Sequence, residues 1–253
     1  MTAAAPHIND PAAVALQKPR RQWLRALRAM ARLFADKEDT AQVFEIMRSL
    51  NGGATLRGYS RLLATPGGGR LAYERVELAE RLMDRAWLDS FAPGTVGAAY
   101  RDFVVGEGLS AEGLVAESRK GVTQIDIPHP FAWYGRRIRD THDIWHVLTG
   151  YSRDSLGELC LVSFSYSQTR GLGWAVIGWG GFLRARGKAG RPYRKAVLEG
   201  FRRGRQAAWL PAEDYLTLLA EPLDAARRRL GLTPPTAYEA IPPEARNPVL
   251  GAA

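Results

Sequence analysis

The chain has 253 residues, which is the length of one large domain or two small ones. Hydrophobic residues make up 46% of it and charged residues 24%, as in ordinary globular proteins, and this composition excludes disorder over the whole chain. The net charge is +9, and five of the 35 basic residues are Lys, so 30 are Arg. This charge leaves three classes of partner open: nucleic acid, an anionic membrane surface and an acidic small molecule.

A single cysteine, Cys160, excludes an intramolecular disulfide and a Cys-rich zinc site, and it favours a reducing compartment. We expect this side chain only to pack. The most apolar stretch, residues 171–183, is shorter than the roughly 20 residues that a membrane-spanning helix needs. The sequence therefore predicts a protein that is soluble or peripheral on a membrane, and not an integral one.

The N-terminal part of the chain predicts a flexible lead-in followed by an amphipathic helix. Residues 1–18 are rich in Ala and Pro. From Trp23 to Phe34, apolar residues recur at steps of three and four, which is the period of a helix with one buried face. The other face carries arginines at positions Arg20, Arg21, Arg25, Arg28 and Arg32. Such a face is either solvated or lies on anionic lipid.

Glycine and proline mark the elements that follow. The sequence Asn51-Gly52-Gly53 predicts the end of a helix that begins near Asp39. Residues 71–87 have the composition of one continuous helix. We expect a short helix at 111–117 and an extended connector at 126–130, because two prolines in that connector disfavour helix.

The C-terminal half predicts two helices joined by a short turn, followed by further helices. Residues 133–149 and 155–170 have helical patterns, and the four residues between them form a turn. Residues 184–191 predict a basic loop, and no alternating pattern predicts an extensive sheet. The sequence thus predicts an all-α fold, a single-domain helical bundle. Its expected parts are a flexible lead-in at 1–18, a helical domain at 19–240 and an irregular tail at 241–253.

Two of the four histidines lie one helical turn apart. His142 and His146 share a helical face, the arrangement by which one helix offers two imidazoles to a single metal ion. Asp143 follows the first histidine where the zinc-protease motif has Glu, so that motif does not match. Histidines at this spacing also occur as partly buried, hydrogen-bonded side chains, and a third ligand is needed to favour a metal.

Glu158 is the candidate for that third ligand. On one unbroken helix it would lie about 18 Å from His146 and could not share a metal with it. Gly150 is a good helix terminator and Asp154 a good N-cap, so we expect the two helices to fold back as a hairpin. His146 and Glu158 then face each other, one turn from the same bend. Two His and a carboxylate suit zinc and also iron, so the bundle is expected to contain a metal-binding helical hairpin.

The pattern His142-Asp143-x-x-His146, followed by eleven residues and Glu158, is similar to the signature of the ubiquinone (coenzyme Q) biosynthesis protein 4 family. The strong part of the resemblance covers residues 133–168, where Arg137 and Arg139 precede the histidines as in that family's arginine-rich approach. A looser similarity extends over residues 42–238, and the first twenty residues are not shared.

The resemblance implies an all-helical protein that binds zinc or a similar divalent ion through residues matching His142, Asp143, His146 and Glu158. It also implies an association with other ubiquinone biosynthesis enzymes at the membrane face where quinones are made, here the cytoplasmic, inner face of the cytoplasmic membrane. The family is linked to removal of the carboxyl group of a polyprenylated hydroxybenzoate, with hydroxylation at the same carbon. We therefore expect a metal-dependent lyase, a decarboxylase that binds a polyprenylated benzoate or quinone precursor.

Four residues receive catalytic roles under this hypothesis. Asp143 is a fourth metal ligand, a group that orients a ligand, or a proton relay. Arg137 or Arg139 holds the substrate carboxylate by a bidentate contact, or the two belong to a solvated basic face. Tyr134 donates to a phenolic oxygen, or it only packs near the start of its helix.

Other interpretations stay open at the level of sequence. A non-catalytic scaffold would bind prenyl lipid, organise the biosynthesis complex and show no turnover of its own. A His-Asp phosphohydrolase would need a further His and Asp on other helices, and His129 fits this role poorly because prolines flank it. Nucleic-acid binding agrees with the charge, but the chain has no recognisable motif for it, so we predict no nucleic-acid partner. A homodimer remains an alternative to a monomer.

Overall fold

The computed structural model describes residues 21–36, 39–106, 130–184 and 187–247. Within these ranges the chain is helical and contains no β-strand, which confirms the predicted all-α, single-domain fold. No helix in these ranges combines the length and the apolar character that a membrane crossing requires. The predicted lead-in at 1–18 lies outside the described residues, and the domain boundaries at 18 and 240 stay predictions.

The helices before and after residues 107–129 form two successive groups. The first group consists of α1 (Trp23–Ala35), α2 (Thr40–Leu63), α3 (Gly68–Glu74), α4 (Leu78–Met83), α5 (Arg85–Asp89) and α6 (Val96–Gly106). The second group consists of α7 (Pro130–Asp140), α8 (His142–Thr149), α9 (Ser155–Thr169), α10 (Leu172–Arg184), α11 (Gly187–Gln206), α12 (Tyr215–Ala220), α13 (Leu223–Arg229) and α14 (Thr236–Glu239). Short 3₁₀ turns lie at Leu210–Ala212 and Pro243–Ala245.

Helix α9 lies at the centre of the main hydrophobic core. It packs along α11, and glycines on α11 allow the two backbones to approach closely. A Cβ atom at Gly200 would lie only 2.6 Å from the carbonyl oxygen of Cys160, so a larger residue would push the helices apart. Cys160 is fully buried in this core, in agreement with the packing role expected for it. Burial raises the pKa of its thiol well above the usual range.

A second, smaller core joins the N-terminal helices to the rest. Helix α1 packs on α2, and α10 packs on both α2 and α9. The side chains that meet there are apolar: Ala26, Ala29, Met30, Leu33, Ile46, Leu50, Val162 and Ile177. This arrangement anchors α1 by one face and leaves its other faces outside the core.

Helix α2 does not end at Asn51-Gly52-Gly53, so the predicted helix end at these residues was wrong. Two glycines in a helix cost about 1 kcal/mol each relative to alanine. Contacts from a distant part of the chain compensate, because the Asn51 side chain accepts a hydrogen bond from the Gly173 N–H at 2.7 Å. The side chain of Asn51 thus joins α2 to the start of α10 instead of ending its own helix.

Two further element predictions were also wrong. Residues 71–87 form three short helices, because Arg75 adopts a left-handed conformation (φ 45°) and the Asp84 side chain caps a new helix by accepting from the Trp87 N–H at 3.0 Å. The predicted loop at 184–191 is replaced by the start of α11, which includes Pro192 in its second turn. Burial of Tyr193 and the following apolar positions in the main core stabilises that helix.

Two predicted segments fall wholly or mostly outside the described residues. These are the short helix at 111–117 and the connector at 126–130, of which only Pro130 is described, as the first residue of α7.

Candidate metal centre

The helical hairpin that carries the candidate ligands is present. The predicted helix at 133–149 is divided at Thr141 into α7 and α8, and α8 begins with His142. Gly150 ends α8 in a left-handed conformation (φ 78°) and donates its N–H to the His146 carbonyl at 2.9 Å. Gly150, which the sequence analysis named as a helix terminator, thus allows the chain to reverse shortly after the second histidine.

The second arm of the hairpin is fixed by an N-cap and a close glycine contact. The Asp154 side chain accepts a hydrogen bond from the Gly157 N–H at 2.7 Å and so begins α9. A Cβ atom at Gly157 would lie 2.0 Å from the Ser152 carbonyl oxygen, so only glycine allows the first turn of α9 to lie this close to the bend. Glu158 follows directly and is held beside α8.

The hairpin brings both histidines to the Glu158 carboxylate. The His146 Nε2 atom lies 3.4 Å from Glu158 Oε1, and the His142 Nε2 atom lies 3.6 Å from Glu158 Oε2. The two imidazole rings meet edge to face, with centroids 4.8 Å apart. His142, Asp143 and His146 also each offer a ligand atom within 4.8 Å of the others. The structure therefore brings together all four residues that the sequence analysis named as metal ligands.

The opposite ring nitrogens of the histidines already have partners. His146 Nδ1 lies 2.8 Å from the Tyr151 carbonyl oxygen, which can only accept, so Nδ1 is a donor and Nε2 is the ring nitrogen left for a ligand. His142 Nδ1 lies 3.0 Å from Asp143 Oδ1 in the same way. His146 Nε2 is buried and makes no hydrogen bond within the described part of the chain. A cation shared by His146 Nε2 and the Glu158 carboxylate would satisfy both groups.

The donor set fits a divalent metal ion. Ligand atoms about 2.0–2.1 Å from a tetrahedral zinc ion lie roughly 3.3 Å from one another. The two distances from the histidine Nε2 atoms to Glu158, 3.4 and 3.6 Å, are close to this separation. Imidazole nitrogen and carboxylate oxygen also suit iron, so the geometry alone does not select between the two metals.

The electrostatics of the site favour bound positive charge. Burial by itself would raise the pKa of Glu158, but His146, His142 and Arg153 outweigh it and lower the pKa to about 2. Burial likewise opposes protonation of His142, yet Asp143 and Glu158 raise the pKa of this imidazole. The carboxylates thus stay ionised and stabilise positive charge at the imidazoles. Either a proton on a ring or a bound metal ion can supply this charge.

Three residues of this site were missed by the sequence analysis. Arg153 donates from Nε to Glu158 Oε1 at 3.2 Å and is half-buried at the edge of the site. Phe103 of α6 stacks on the His146 imidazole with a centroid distance of 5.4 Å. Tyr151 supplies the carbonyl that orients His146. Arg153 and Tyr151 lie in the predicted turn, so their position in the sequence could have indicated that they contact the site. Phe103 lies on a distant part of the chain, and no local pattern connects it to the hairpin.

Two arginines from other helices hold the C-terminal end of α8. Arg227 donates to the carbonyl oxygens of Leu148 at 3.1 Å and Val147 at 2.8 Å. Arg203 donates to the Thr149 carbonyl at 2.8 Å. The last carbonyls of a helix lack partners within the helix, so these guanidinium groups both satisfy them and complement the helix dipole. The helix that bears both histidines is thereby fixed to α11 and α13.

The structure places the other proposed catalytic residues away from the Glu158 contacts. Arg137 is buried and donates to the backbone carbonyls of Pro211 and Glu213, with its guanidinium 4.9 Å from the centroid of the Tyr215 ring. To bind a substrate carboxylate it would have to leave these carbonyls. Arg139 donates to the buried Asp140 carboxylate at 2.6 Å. The role of either arginine in substrate binding stays a prediction.

Tyr134 belongs to a third apolar cluster, between α2, α3 and α7. Its ring packs beside Trp133 and Leu62, and its hydroxyl group lies where a side chain on Gly58 would be. Burial raises the pKa of this phenol, so it stays protonated. The packing alternative for Tyr134 is therefore supported by its surroundings, and its role as a donor to substrate stays a prediction.

The fold and the site together define an all-helical protein with two histidines and a carboxylate converging on a helical hairpin. Residues 13–236 match the family described as coenzyme Q (ubiquinone) biosynthesis protein Coq4. Because this match covers most of the chain, the protein belongs to that family, as the resemblance predicted. The match begins at residue 13, so the expectation that the first twenty residues are not shared was wrong for residues 13–20. His129, the poorly fitting candidate for the further histidine of a phosphohydrolase, lies outside the described residues.

Curated relatives carry the same description. The chain is 32% identical over 108 residues to the mitochondrial ubiquinone biosynthesis protein coq-4 of Neurospora crassa and 31% identical over 109 residues to its counterpart in Yarrowia lipolytica. Each match covers 43% of this chain, but only 29% of the Neurospora protein and 39% of the Yarrowia protein. The matched region is thus well under two thirds of those relatives.

A solved structure has the same fold. The chain is similar to a proposed ubiquinone biosynthesis protein from Nostoc punctiforme PCC 73102, with a TM-score of 0.59 and 20% sequence identity. The alignment covers 84% of this chain and 99% of that protein. At this level of identity the comparison supports the helical architecture and nothing finer.

Proposed function

We propose that this protein removes the carboxyl group from a polyprenylated hydroxybenzoate precursor of ubiquinone, using a divalent metal held by His142, His146 and Glu158. The observation that supports this proposal most directly is the convergence of both histidine Nε2 atoms on the Glu158 carboxylate, with both Nδ1 atoms already bonded elsewhere. Membership of the ubiquinone biosynthesis family supports a ubiquinone precursor as the substrate.

A divalent ion bound there would act as a Lewis acid on the phenol or carboxylate oxygen of the substrate and stabilise the negative charge that develops as carbon dioxide leaves. Zinc suits this role, and iron would suit an oxidative form of the reaction, in which dioxygen would be the oxidant and the source of the oxygen atom added to the same carbon. The chain's own residues orient the ligands: Tyr151 holds His146, and Asp143 holds His142. Phe103 covers one face of His146 and limits access of water to it.

We assign Asp143 to orientation of His142, because its carboxylate contacts the Nδ1 side of that ring. Arg153 is the arginine that we propose for the substrate carboxylate. Arg153 already contacts Glu158 and is half-buried, so its guanidinium can reach a ligand in the site. Arg137, in contrast, would first have to leave the backbone carbonyls to which it donates. A guanidinium matches a carboxylate in geometry and charge.

The test is to purify the protein with its metal and measure both metal content and release of carbon dioxide from a polyprenylated hydroxybenzoate. We expect His146→Ala and Glu158→Gln to lose the metal and to lower turnover by at least about 100-fold. Glu213→Gln is the matched control, because Glu213 is a carboxylate paired with an arginine (Arg229, 2.8 Å) outside this site. Unchanged metal and turnover in both site variants would overturn the proposal.

The same experiment distinguishes the scaffold alternative. A non-catalytic prenyl-lipid-binding scaffold would bind the substrate, retain metal and release no carbon dioxide at any substrate concentration. Addition of the other ubiquinone biosynthesis enzymes would then be required for turnover. We propose that the protein works beside such enzymes on the inner face of the cytoplasmic membrane, where a polyprenylated substrate is dissolved in the lipid.

A further inference from the structure

Helix α1 has three distinct faces, whereas an ordinary surface helix has two. One face is buried against α2 and consists of Ala26, Ala29, Met30 and Leu33. At about 100° per residue, the arginines project together on a second face, formed by Arg25, Arg28 and Arg32. The third face lies between these two and is apolar, with Trp23, Leu24, Leu27 and Ala31.

The third face of α1 is open to solvent. Leu24 is 73% exposed, Leu27 57% and Trp23 46%. Single exposed leucines are common on proteins, but adjacent large apolar side chains on one face of a helix mark an interaction surface. The packing of α1 on α2 does not require these residues, because the neighbouring buried face already provides it.

Helix α10 carries two more exposed apolar side chains, near the C-terminal end of α1. Its Trp179 is 63% exposed and Leu183 49% exposed. The next residue after Trp179, Gly180, lies against the ring of Phe34 at the end of α1, since a Cβ atom there would be 2.5 Å from Phe34 Cζ. We call Trp23, Leu24, Leu27, Trp179 and Leu183 together the apolar surface.

A basic groove runs beside the apolar surface, between α1 and α2. Its volume is about 920 Å³, and its charged lining consists of Arg21, Arg25, Arg28, Arg32, Arg48 and Glu45. Glu45 forms ion pairs with Arg25 and Arg48. Among the described residues, no carboxylate pairs with Arg28 or Arg32. The groove therefore has excess positive charge next to exposed apolar side chains.

We propose that α1 docks the protein on an anionic membrane, with the apolar surface in the headgroup region and Arg28 and Arg32 on lipid phosphates. A lipid bilayer offers both ligands at once, whereas a free phosphate has no apolar part to cover Leu24 and Leu27. A second copy of the chain would oppose one basic groove with another, and the like charges would repel. This inference rests on the membrane part of the proposed function and names the surface that performs it.

The experiment is sedimentation of the full chain with vesicles of phosphatidylcholine alone or with about a third phosphatidylglycerol. We expect binding to the anionic vesicles that weakens as salt is raised. The Leu24→Ser/Leu27→Ser variant should bind about tenfold or more weakly, because it removes the inserted side chains. The Arg28→Glu/Arg32→Glu variant should bind anionic vesicles more weakly by a similar factor, whereas its binding to phosphatidylcholine vesicles should equal that of the wild type.

Leu198→Ser/Arg228→Glu is the matched control, since it changes an exposed leucine and an exposed arginine on α11 and α13. Equal vesicle binding by the wild type and both α1 variants would overturn the proposal. So would a wild-type dimer, detected by light scattering, that the leucine variant converts to a monomer without any vesicle binding. His146→Ala should bind vesicles like the wild type, and the α1 variants should keep their metal. A failure of docking can therefore be distinguished from a failure of the metal site.

Discussion

Two of the three roles predicted for Asp143, metal ligand and orienting acceptor, can be distinguished by the position of its carboxylate. It contacts the Nδ1 side of His142, while the Nε2 side of the ring faces Glu158. We expect Asp143→Asn to retain the metal but to bind it about 10–100-fold more weakly, because the amide oxygen still accepts without the charge that strengthens the histidine as a ligand. Competition with a chromophoric chelator measures the affinity.

Asp214→Asn serves as the control, since Asp214 caps α12 and pairs with Arg70, away from the histidines. If Asp143→Asn instead loses the metal as completely as His146→Ala does, then Asp143 is a ligand itself, as the family resemblance implied.

At the scale of elements, the hairpin depends on a glycine that the motif itself does not include. A Cβ atom at Gly157 would lie 2.0 Å from the backbone oxygen of Ser152, which cannot move without opening the bend. We expect Gly157→Ala to lower the free energy of unfolding by about 1–3 kcal/mol, as overpacking usually does. Urea denaturation measures this change.

The matched control for Gly157 is Gly69→Ala in α3. A Cβ atom at Gly69 meets nothing within 4 Å, and the residue lies in a helix, so this substitution should stabilise the protein by up to about 1 kcal/mol. Equal effects of the two substitutions would show that the close approach of α9 to the bend is not required.

The arginines at the end of α8 give a second prediction at this scale. Arg227→Met removes two hydrogen bonds to the carbonyls of Val147 and Leu148 and should cost about 1–3 kcal/mol of stability. Arg229→Met on the same helix removes only half-exposed ion pairs to Glu213 and Glu221 and should cost about 1 kcal/mol or less. Thermal unfolding of both variants compares them, and an equal loss would contradict the capping role of Arg227.

How far the sequence predicts each element depends on where its stabilising contacts come from. The hairpin was predictable because Gly150 and Asp154 act on their own neighbours. The continuation of α2 through Asn51 was not, because the hydrogen bond that supports it comes from Gly173, 122 residues away in the chain. The arginine partners of α8 were invisible for the same reason, since Arg227 lies 79 residues beyond Leu148. The four candidate ligands were predictable because they lie close together in the sequence at a characteristic spacing. Phe103 was not predictable, because it lies far from them in the chain.

On the scale of the whole molecule, the arginines include two groups with contrasting roles. Arg137 and Arg203 are buried and donate to backbone carbonyls, so part of the +9 charge serves internal packing and not a partner. The arginines of α1 lie on the surface and have few acidic partners in the described part of the chain. The membrane proposal therefore depends on the position of the charge and not on its total.

Metal binding should also stabilise the whole fold, because the hairpin that forms the site lies in the main core. An ion that binds only the folded state at 100 times its dissociation constant adds about 2.7 kcal/mol to the free energy of unfolding. For a chain of this size that is a rise of roughly 5–10 °C in Tm. We expect zinc to produce this shift in the wild type, a chelator to reverse it, and His146→Ala to show neither effect. The same titration with ferrous iron under anaerobic conditions ranks the two metals. A shift of equal size in His146→Ala would mean that the stabilising ion binds elsewhere, because that variant lacks the buried nitrogen aimed at Glu158.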